Sequence, residues 1–308
     1  MDITVAICTW NRARLLDATL EQMRRLRVPA GVSWELLVVN NRCTDNTDAI
    51  IRKHEPHLPL RRLFESRQGH SNARNCAVAA MRGELLIWTD DDVLVDEGWL
   101  QAYWDAVKQY PHAAYFGGTV DPLYETEPPK WVHEQHQLVE GPLAIRRLGS
   151  EVRVLGADEY PFGANMAFRM SRLPRLEFDP RLGRMGNAMI SGDDTQVIDQ
   201  LKSQNIPGIW VGTARVRHFV PCERLTTRYV WNFWAGIGAT DTRRYGLPPG
   251  KYVLNMPRWM IRQYMLERWR LLKAGFRRDR RWADAFRRAA YTWGILRESA
   301  QQRSGQPA

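Results

Sequence analysis

The sequence predicts an α/β protein built on a doubly wound, mostly parallel sheet. Three observations predict it. Short apolar runs alternate with amphipathic stretches from the N-terminus to about residue 90, at the spacing of strand–helix–strand units. Polar clusters fall just after three of those runs, where sheets of this kind receive ligands. And 44% of the 308 residues are hydrophobic, enough for a sizeable core.

Residues 3–9, ITVAICT, read as a strand. Residues 12–26 follow as a helix with Leu15, Leu16, Thr19, Leu20, Met23 and Leu26 on one face. WELLVVN at 34–40 is a second strand, 46–55 a short helix and 60–66 a third strand. Residues 70–83 form a helix rich in small side chains that ends at Gly83. Leu85, Leu86, Ile87 and Trp88 then read as a strand buried on both faces. From about residue 115 the pattern loosens. Residues 121–132 are a Pro-rich polar loop or lid, and 161–171 a strand returning to the core. A Gly-rich loop then feeds a helix with Val197, Ile198 and Leu201 inward, and 208–220 reads as a final strand pair.

Cys8, Cys43, Cys76 and Cys222 are widely spaced and form no CxxC pair. That argues against a disulfide framework or zinc knuckle and for a reducing compartment. No basic leader precedes the first apolar run, and no stretch approaches the ~18 uncharged apolar residues of a membrane span. We therefore expect a soluble, cytoplasmic protein. Its net charge of +10 is unevenly placed: residues 251–308 hold 14 Lys and Arg against 4 Asp and Glu, which is the whole excess. There, Ile261, Tyr264, Met265, Trp269 and Leu272 share one helical face, and Trp282, Phe286, Ala289, Trp293 and Leu296 another. Basic helices of this kind suit an anionic membrane surface, which would place the protein peripherally on the cytoplasmic face of the inner membrane. A helical subdomain packed on the body or on a second subunit fits the same pattern. Nucleic acid ranks third, because nothing in the body reads as a nucleic-acid recognition module. The oligomeric state stays open.

Three polar loops meet at the expected ligand rim: 9–12 (TWNR), 40–47 (NNRCTDNT) and 89–92 (TDDD). Asp90, Asp91 and Asp92 follow a buried strand, where neighbouring charges repel and burial raises the cost. A bound Mg²⁺ or Mn²⁺ would relieve that repulsion and bridge to phosphate oxygens. An acidic loop capping the next helix is the plainer alternative. Asp193 and Asp194 open a helix, and capping explains one of them more easily than both. His133 and His136 have metal-like spacing but no third ligand nearby, so they read as surface histidines. His70 borders the rim or begins a helix. Trp231, Phe233 and Trp234 read as core rather than a sugar platform.

Six stretches in order carry a resemblance: VAICTWNR, LLVVNNRCTDNT, GHSNARNCAVAAMRGELLIWTDDDV, PFGANMAFR, SGDDTQV and VRHFVPCERLT. Across residues 3–240 the chain resembles family 2 glycosyltransferases of the GT-A fold. The resemblance implies a Rossmann-like, nucleotide-diphospho-sugar transferase domain over 1–220, with a mixed, mostly parallel central sheet. A basic, amphipathic helical extension over 221–308 would follow. It further implies that Thr9, Asn11, Arg12 and Asn40 cradle base and ribose. Asp90 and Asp92 would be the outer members of a D-x-D motif, with Asp92 and His218 on the metal. Arg74, Asp91, Asn165 and Asp193 would line the nucleotide-sugar site, and Asp194 would be the general base. In two places the chain departs from the family pattern. Asn40 and Asn41 stand where many members carry an Asp that reads the base, which weakens a uridine-specific assignment, and Asp193 replaces the usual Glu.

The chemistry fits these residues. A divalent ion stabilises the departing diphosphate, and a carboxylate takes the proton of the attacking hydroxyl. One base without a carboxylate nucleophile implies a single displacement with inversion. The expected function is metal-dependent transfer of a sugar from a nucleotide-sugar donor to a carbohydrate or glycolipid acceptor, in surface polysaccharide or glycolipid synthesis. Two alternatives are a nucleotidyltransferase, for which the first loop lacks glycines, and a non-catalytic sugar-nucleotide-fold protein whose basic tail binds membrane or nucleic acid.

Overall fold

The computed structural model describes residues 1–173, 175–183, 192–275 and 279–305. Two compact units emerge. The first combines Met1–Leu123, Ala144–Pro180 and Asp193–Phe219; the second combines Tyr124–Leu143, Arg181–Gly192 and Val220–Ala308.

The chain begins β1 (Ile3–Thr9), α1 (Ala13–Met23), β2 (Trp34–Asn40), α2 (Thr47–His54), β3 (Leu60–Phe64) and α3 (His70–Ala80). It continues β4 (Leu85–Asp90), β5 (Val93–Val95), α4 (Trp99–Gln109) and β6 (Tyr115–Tyr124), then the short helices α5 (Lys130–Glu134) and α6 (His136–Val139). Next come β7 (Val152–Val154), β8 (Asn165–Arg169), α7 (Asp193–Ser203) and β9 (Gly208–Val220). Most of the Gly-rich loop expected before α7 lies outside the described residues. Among the described residues these strands form one mixed sheet of nine, in the order β3-β2-β1-β4-β8-β6-β9-β5, with β7 on β9.

The parallel pairings are β3–β2, β2–β1 and β1–β4. These are the strands that the alternating sequence foretold. Their register is level: Thr9 lies opposite Asn40, and Cys8 opposite Asp90. Three carboxyl ends, and hence three polar loops, therefore share one rim. Strand alternation sends Val5, Ile7, Leu36, Val38 and Ile87 to one side, against α1 and α4. Ala6, Leu37, Val39, Leu86 and Trp88 go to the other, against α3 and α7. Burial on both faces explains why β1, β2 and β4 read as unbroken apolar runs.

The other half of the sheet is antiparallel, β8 pairing with β4 and β6, and β5 and β7 pairing with β9. Here the sequence reading needs correction. Residues 208–220 are one strand of 13 residues, not a strand pair. Gly212, in mid-strand, permits a close approach: a Cβ there would meet the backbone of Gly149 and Ser150. The loop expected at 121–132 is shorter, because β6 runs to Tyr124 and α5 starts at Lys130.

The second unit holds α5, α6, α8 (Thr227–Tyr245), the hairpin β10 (Tyr252–Val253) and β11 (Met256–Pro257), α9 (Arg258–Ala274) and α10 (Arg280–Ser304). Helices α8 and α10 cross closely at Gly238 and Gly294, where any Cβ would overlap the backbone of Tyr291 or Ala235. Arg243 reaches Glu298 with both Nε and Nη2, at 2.9 and 3.2 Å. Trp231 packs edge-on to Phe286 at 5.2 Å, and the Trp234 indole donates to the Leu138 carbonyl. These aromatics therefore serve the packing of the helical unit. Among the described residues no helix is long and apolar enough to cross a membrane.

Candidate active site

The first loop is tied to the third by the middle acid. Thr9 Oγ1 donates to Asp91 Oδ2 at 2.7 Å, and Arg12 Nη1 donates to Asp91 Oδ1 at 3.0 Å and Asp92 Oδ2 at 2.9 Å. Asp91 is also gripped from behind, its carbonyl accepting from Thr19 of α1. Burial pushes the Asp91 carboxyl up to about 6, reinforced by Asp92 and only partly countered by Arg12. Burial works against the charge of Arg12, but Asp91 and Asp92 outweigh it and hold the guanidinium protonated. Asn11 adopts positive φ and accepts from the Thr44 N–H at 2.7 Å, fastening the first loop to the second.

Beside that clasp lies a cation-competent set. Ligand atoms of Asp90, Asp92 and His218 all fall within 4.8 Å of one another. The pairing of β5 with β9 puts His218 opposite Val93, and the Phe219 N–H closes on the Asp92 carbonyl at 2.8 Å. His218 Nε2 lies 3.4 Å from Asp92 Oδ1. Two carboxylates and an imidazole at this spacing are a donor set that would fit Mg²⁺ or Mn²⁺.

The second acid pair stands at the N-terminus of α7. Asp193 accepts from Arg74 Nη1 at 3.0 Å, with His70 Nδ1 3.4 Å away. Arg74 is 2% exposed and stacks over Trp88 at 5.4 Å and Phe178 at 5.0 Å. Burial alone would raise the Asp193 carboxyl, but Arg74 and His70 outweigh it and hold it well below the ordinary range. Asp194 goes the other way: burial and the fixed charge of Asp193 raise it, against Arg74. Asp194 Oδ2 accepts from the Gly163 N–H at 3.2 Å. A Cβ on Gly163 would strike the Arg74 guanidinium, so only glycine admits this arrangement. Arg74 also feels the charge of Asp90, which links the two acid clusters.

Two residues singled out in the sequence spend hydrogen bonds within the fold. Asn165 is fully buried; its amide donates to the carbonyls of Thr119 and Ala214 and accepts from Trp99 Nε1 and Tyr103 Oη. With its amide spent inside the core, it braces the sheet rather than meeting a donor. Asn40 is likewise buried, donating to Asp48 at 2.6 Å and accepting from the Cys43 N–H at 2.7 Å. It shapes the second loop, with one hydrogen bond at each end of its amide. Asn41 does the same for the next turn, binding the carbonyls of Glu65 and Arg67 and the N–H of Gly69. Sequence reasoning missed Gly163, Thr19 and Phe178. Only Gly163 lay inside a recognised stretch; Phe178 is brought to Arg74 by tertiary structure alone. His133 and His136 are exposed on α5 and α6.

A parallel half that delivers loops to one rim, an antiparallel half that carries His218, and a helix that opens on Asp193 and Asp194 make this a GT-A fold. The chain is similar to S. aureus TarS 1-349 solved with UDP-GlcNAc, at TM-score 0.56 and 13% identity over 99% of this chain and 93% of the other. It is also similar to the mannosyltransferase PcManGT from Pyrobaculum calidifontis solved with GDP-Man and Mn²⁺, at TM-score 0.53 and 17% identity over 99% and 76%. Residues 4–169, more than half of the sequence, match the profile of Glycosyl transferase family 2, and the chain belongs to that family. Among curated proteins it is 27% identical over 135 residues to the succinoglycan biosynthesis protein ExoM of Rhizobium meliloti, 43% of each chain. The match spans less than half the length of the first curated relatives.

Proposed function

We propose that this chain transfers a sugar from a nucleoside-diphosphate donor to a hydroxyl acceptor, with inversion at the anomeric carbon. One observation carries the reading: Asp194 is a half-buried carboxylate raised above the ordinary range, held by the Gly163 N–H and beside an Asp193 that Arg74 keeps charged. A base so tuned is matched to accepting a proton from a hydroxyl. The acceptor oxygen attacks the anomeric carbon as the bond to the diphosphate oxygen breaks. The hydroxyl proton passes to Asp194, and the nucleoside diphosphate leaves with the bonding electrons. The clasp of Thr9, Arg12 and Asp91 orients the first loop around the donor. Arg74 fixes Asp193 and thereby the direction in which Asp194 points.

Asp90, Asp92 and His218 would hold a divalent ion, whose Lewis acidity supports the charge developing on the departing diphosphate. The imidazole tips the donor set towards Mn²⁺ over Mg²⁺, and the Mn²⁺ bound by the similarly folded mannosyltransferase supports that choice. The likeness to a succinoglycan biosynthesis protein supports a carbohydrate or glycolipid acceptor in surface-glycan synthesis. The basic helical unit suits an acceptor carried on an anionic membrane.

Calorimetric titration of UDP, GDP, CDP and dTDP, with and without Mn²⁺, tests the reading. Metal-dependent binding of one nucleotide, lost in Asp92→Asn, is expected. No binding of any of the four would overturn it.

A further inference from the structure

We infer that α9 and the hairpin before it form a docking surface for the interface of an anionic phospholipid bilayer. The inference rests on the proposed function only for the idea of a lipid-borne acceptor; the surface itself is read from the second unit alone. Helix α9 carries more apolar surface than its packing uses. Met260, with Ile261 and Tyr264, packs against Ile295 and Leu296 of α10. The rest of the apolar face expected from the sequence is turned out: Met265, Trp269 and Leu272 are 65%, 52% and 73% exposed. Their spacing of four and three residues places them in one stripe.

The charge around that stripe has a single sign. Arg258, Arg262, Arg268, Arg270 and Lys273 are all exposed. The one acid of α9, Glu267, is fully buried and accepts from Gln263 at 3.0 Å and Arg270 at 2.8 Å. The Lys273 ammonium lies 3.7 Å from the Trp269 ring centroid, so cation and aromatic are already interleaved.

A second feature continues the surface. Leu254 and Asn255, which join β10 to β11, have φ of 49° and 61°. Two left-handed residues in succession suit Asn or Gly. Asn255 complies and Leu254 does not, and Leu254 is 82% exposed. A leucine that neither the backbone nor the core favours is set at a tip beside Lys251, whose carbonyl accepts from Arg258 at the start of α9. In an interface its side chain finds the apolar surroundings it lacks in water.

Charge complementarity selects the partner. An anionic lipid surface answers the cations while its acyl region receives Leu254, Met265, Trp269 and Leu272. A second copy of this face would set cation against cation. A nucleic acid would find no π-face on the leucines and methionine.

The test is flotation of the full chain, without donor or acceptor, on vesicles of phosphatidylcholine alone or mixed with phosphatidylglycerol. Binding to the mixed vesicles, weakening as salt rises, with a blue shift of tryptophan emission, is expected. Combined Met265→Ser, Trp269→Ser and Leu272→Ser should weaken it by about tenfold or more. Leu254→Asn, which suits the turn better and so preserves folding, should weaken it about threefold through loss of one inserted side chain. Failure to bind anionic vesicles overturns the inference. So does equal binding by the folded variants, equal binding to neutral vesicles, or a dimer that the serine variants dissolve. Should the combined variant not fold, Leu254→Asn decides. Nucleotide titration of the same preparations reports on the transferase site separately, so one reading can fail without the other.

Discussion

Asp91 and Asp193 are each buried beside another acid, and each is met by an arginine, yet their surroundings differ. Arg12 divides one guanidinium nitrogen between Asp91 and Asp92, and its side chain is 36% exposed. Arg74 is enclosed between two aromatic rings and directed at Asp193. Asp91 accordingly stays raised, whereas Asp193 is pulled down. A shared, half-exposed arginine leaves a carboxylate cluster soft, ready to exchange its counter-charge for an incoming ion. An enclosed arginine fixes one charge for good, and that fixed charge then raises its neighbour. On the proposed function, the first cluster would receive a ligand and the second would tune a base.

The largest expected effect comes from Asp194→Asn. Turnover should fall by roughly 10²–10⁴-fold while nucleotide affinity is retained, as measured by steady-state kinetics beside calorimetry. Equal loss of both would return Asp194 to a binding role. Next comes the contrast between the arginines. Arg74→Met should destabilise the fold by about 3–5 kcal/mol, because it strands a buried charge. Arg12→Met should cost less, about 1–3 kcal/mol, because Arg12 is partly exposed although both of its carboxylate partners are buried. Urea melts of the two variants compare them directly; equal losses would erase the distinction between soft and fixed clusters.

The pH dependence sharpens the same contrast. A base works only when deprotonated, so activity falls as pH drops through its pKa. With Asp194 raised, the acid limb of kcat/KM should lie above the range of an ordinary aspartate. Asp193→Asn removes the neighbouring negative charge, leaves Arg74 to act on Asp194, and should move that limb to lower pH. A limb that stays put would mean that burial alone sets the Asp194 carboxyl. Smallest is Thr9→Val, which deletes one hydrogen bond to Asp91. About 1 kcal/mol and a several-fold rise in donor KM are expected, with kcat little changed.

Much of this arrangement was legible in the sequence because it is local. Strand β4 and its acids adjoin in the chain, and the alternation that predicts β1, β2 and β4 also levels their ends. Asp193 and Asp194 announced themselves by opening a helix. Residues whose role depends on distant partners did not. Asn165 sits in a stretch typical of the family, but Trp99, Tyr103, Thr119 and Ala214 draw its amide into the core. Asn40 stands at the end of its strand as expected, but its bonds to Asp48 and Cys43 depend on how the second loop folds and had no local signal. Helix α9 shows the limit of periodicity: spacing marked an apolar face, but packing decided that Ile261 and Tyr264 turn inward while Trp269 and Leu272 do not. Periodicity reports which side chains share a face, and it is silent on what covers them.

The long strand β9 ties His218 to a ladder rather than to a loop. It runs unbroken from Gly208, with Val211, Val216 and His218 each opposite a residue of β7 or β5. Because side chains alternate across a strand, inserting one residue between 212 and 217 would turn the imidazole to the opposite face while leaving every atom of the acid cluster in place. The same insertion at 204–207, before the strand, would be absorbed by the turn. Tolerance of insertions along the chain should thus drop abruptly at Gly208, and the drop would mark the span over which distance along the backbone is converted into aim.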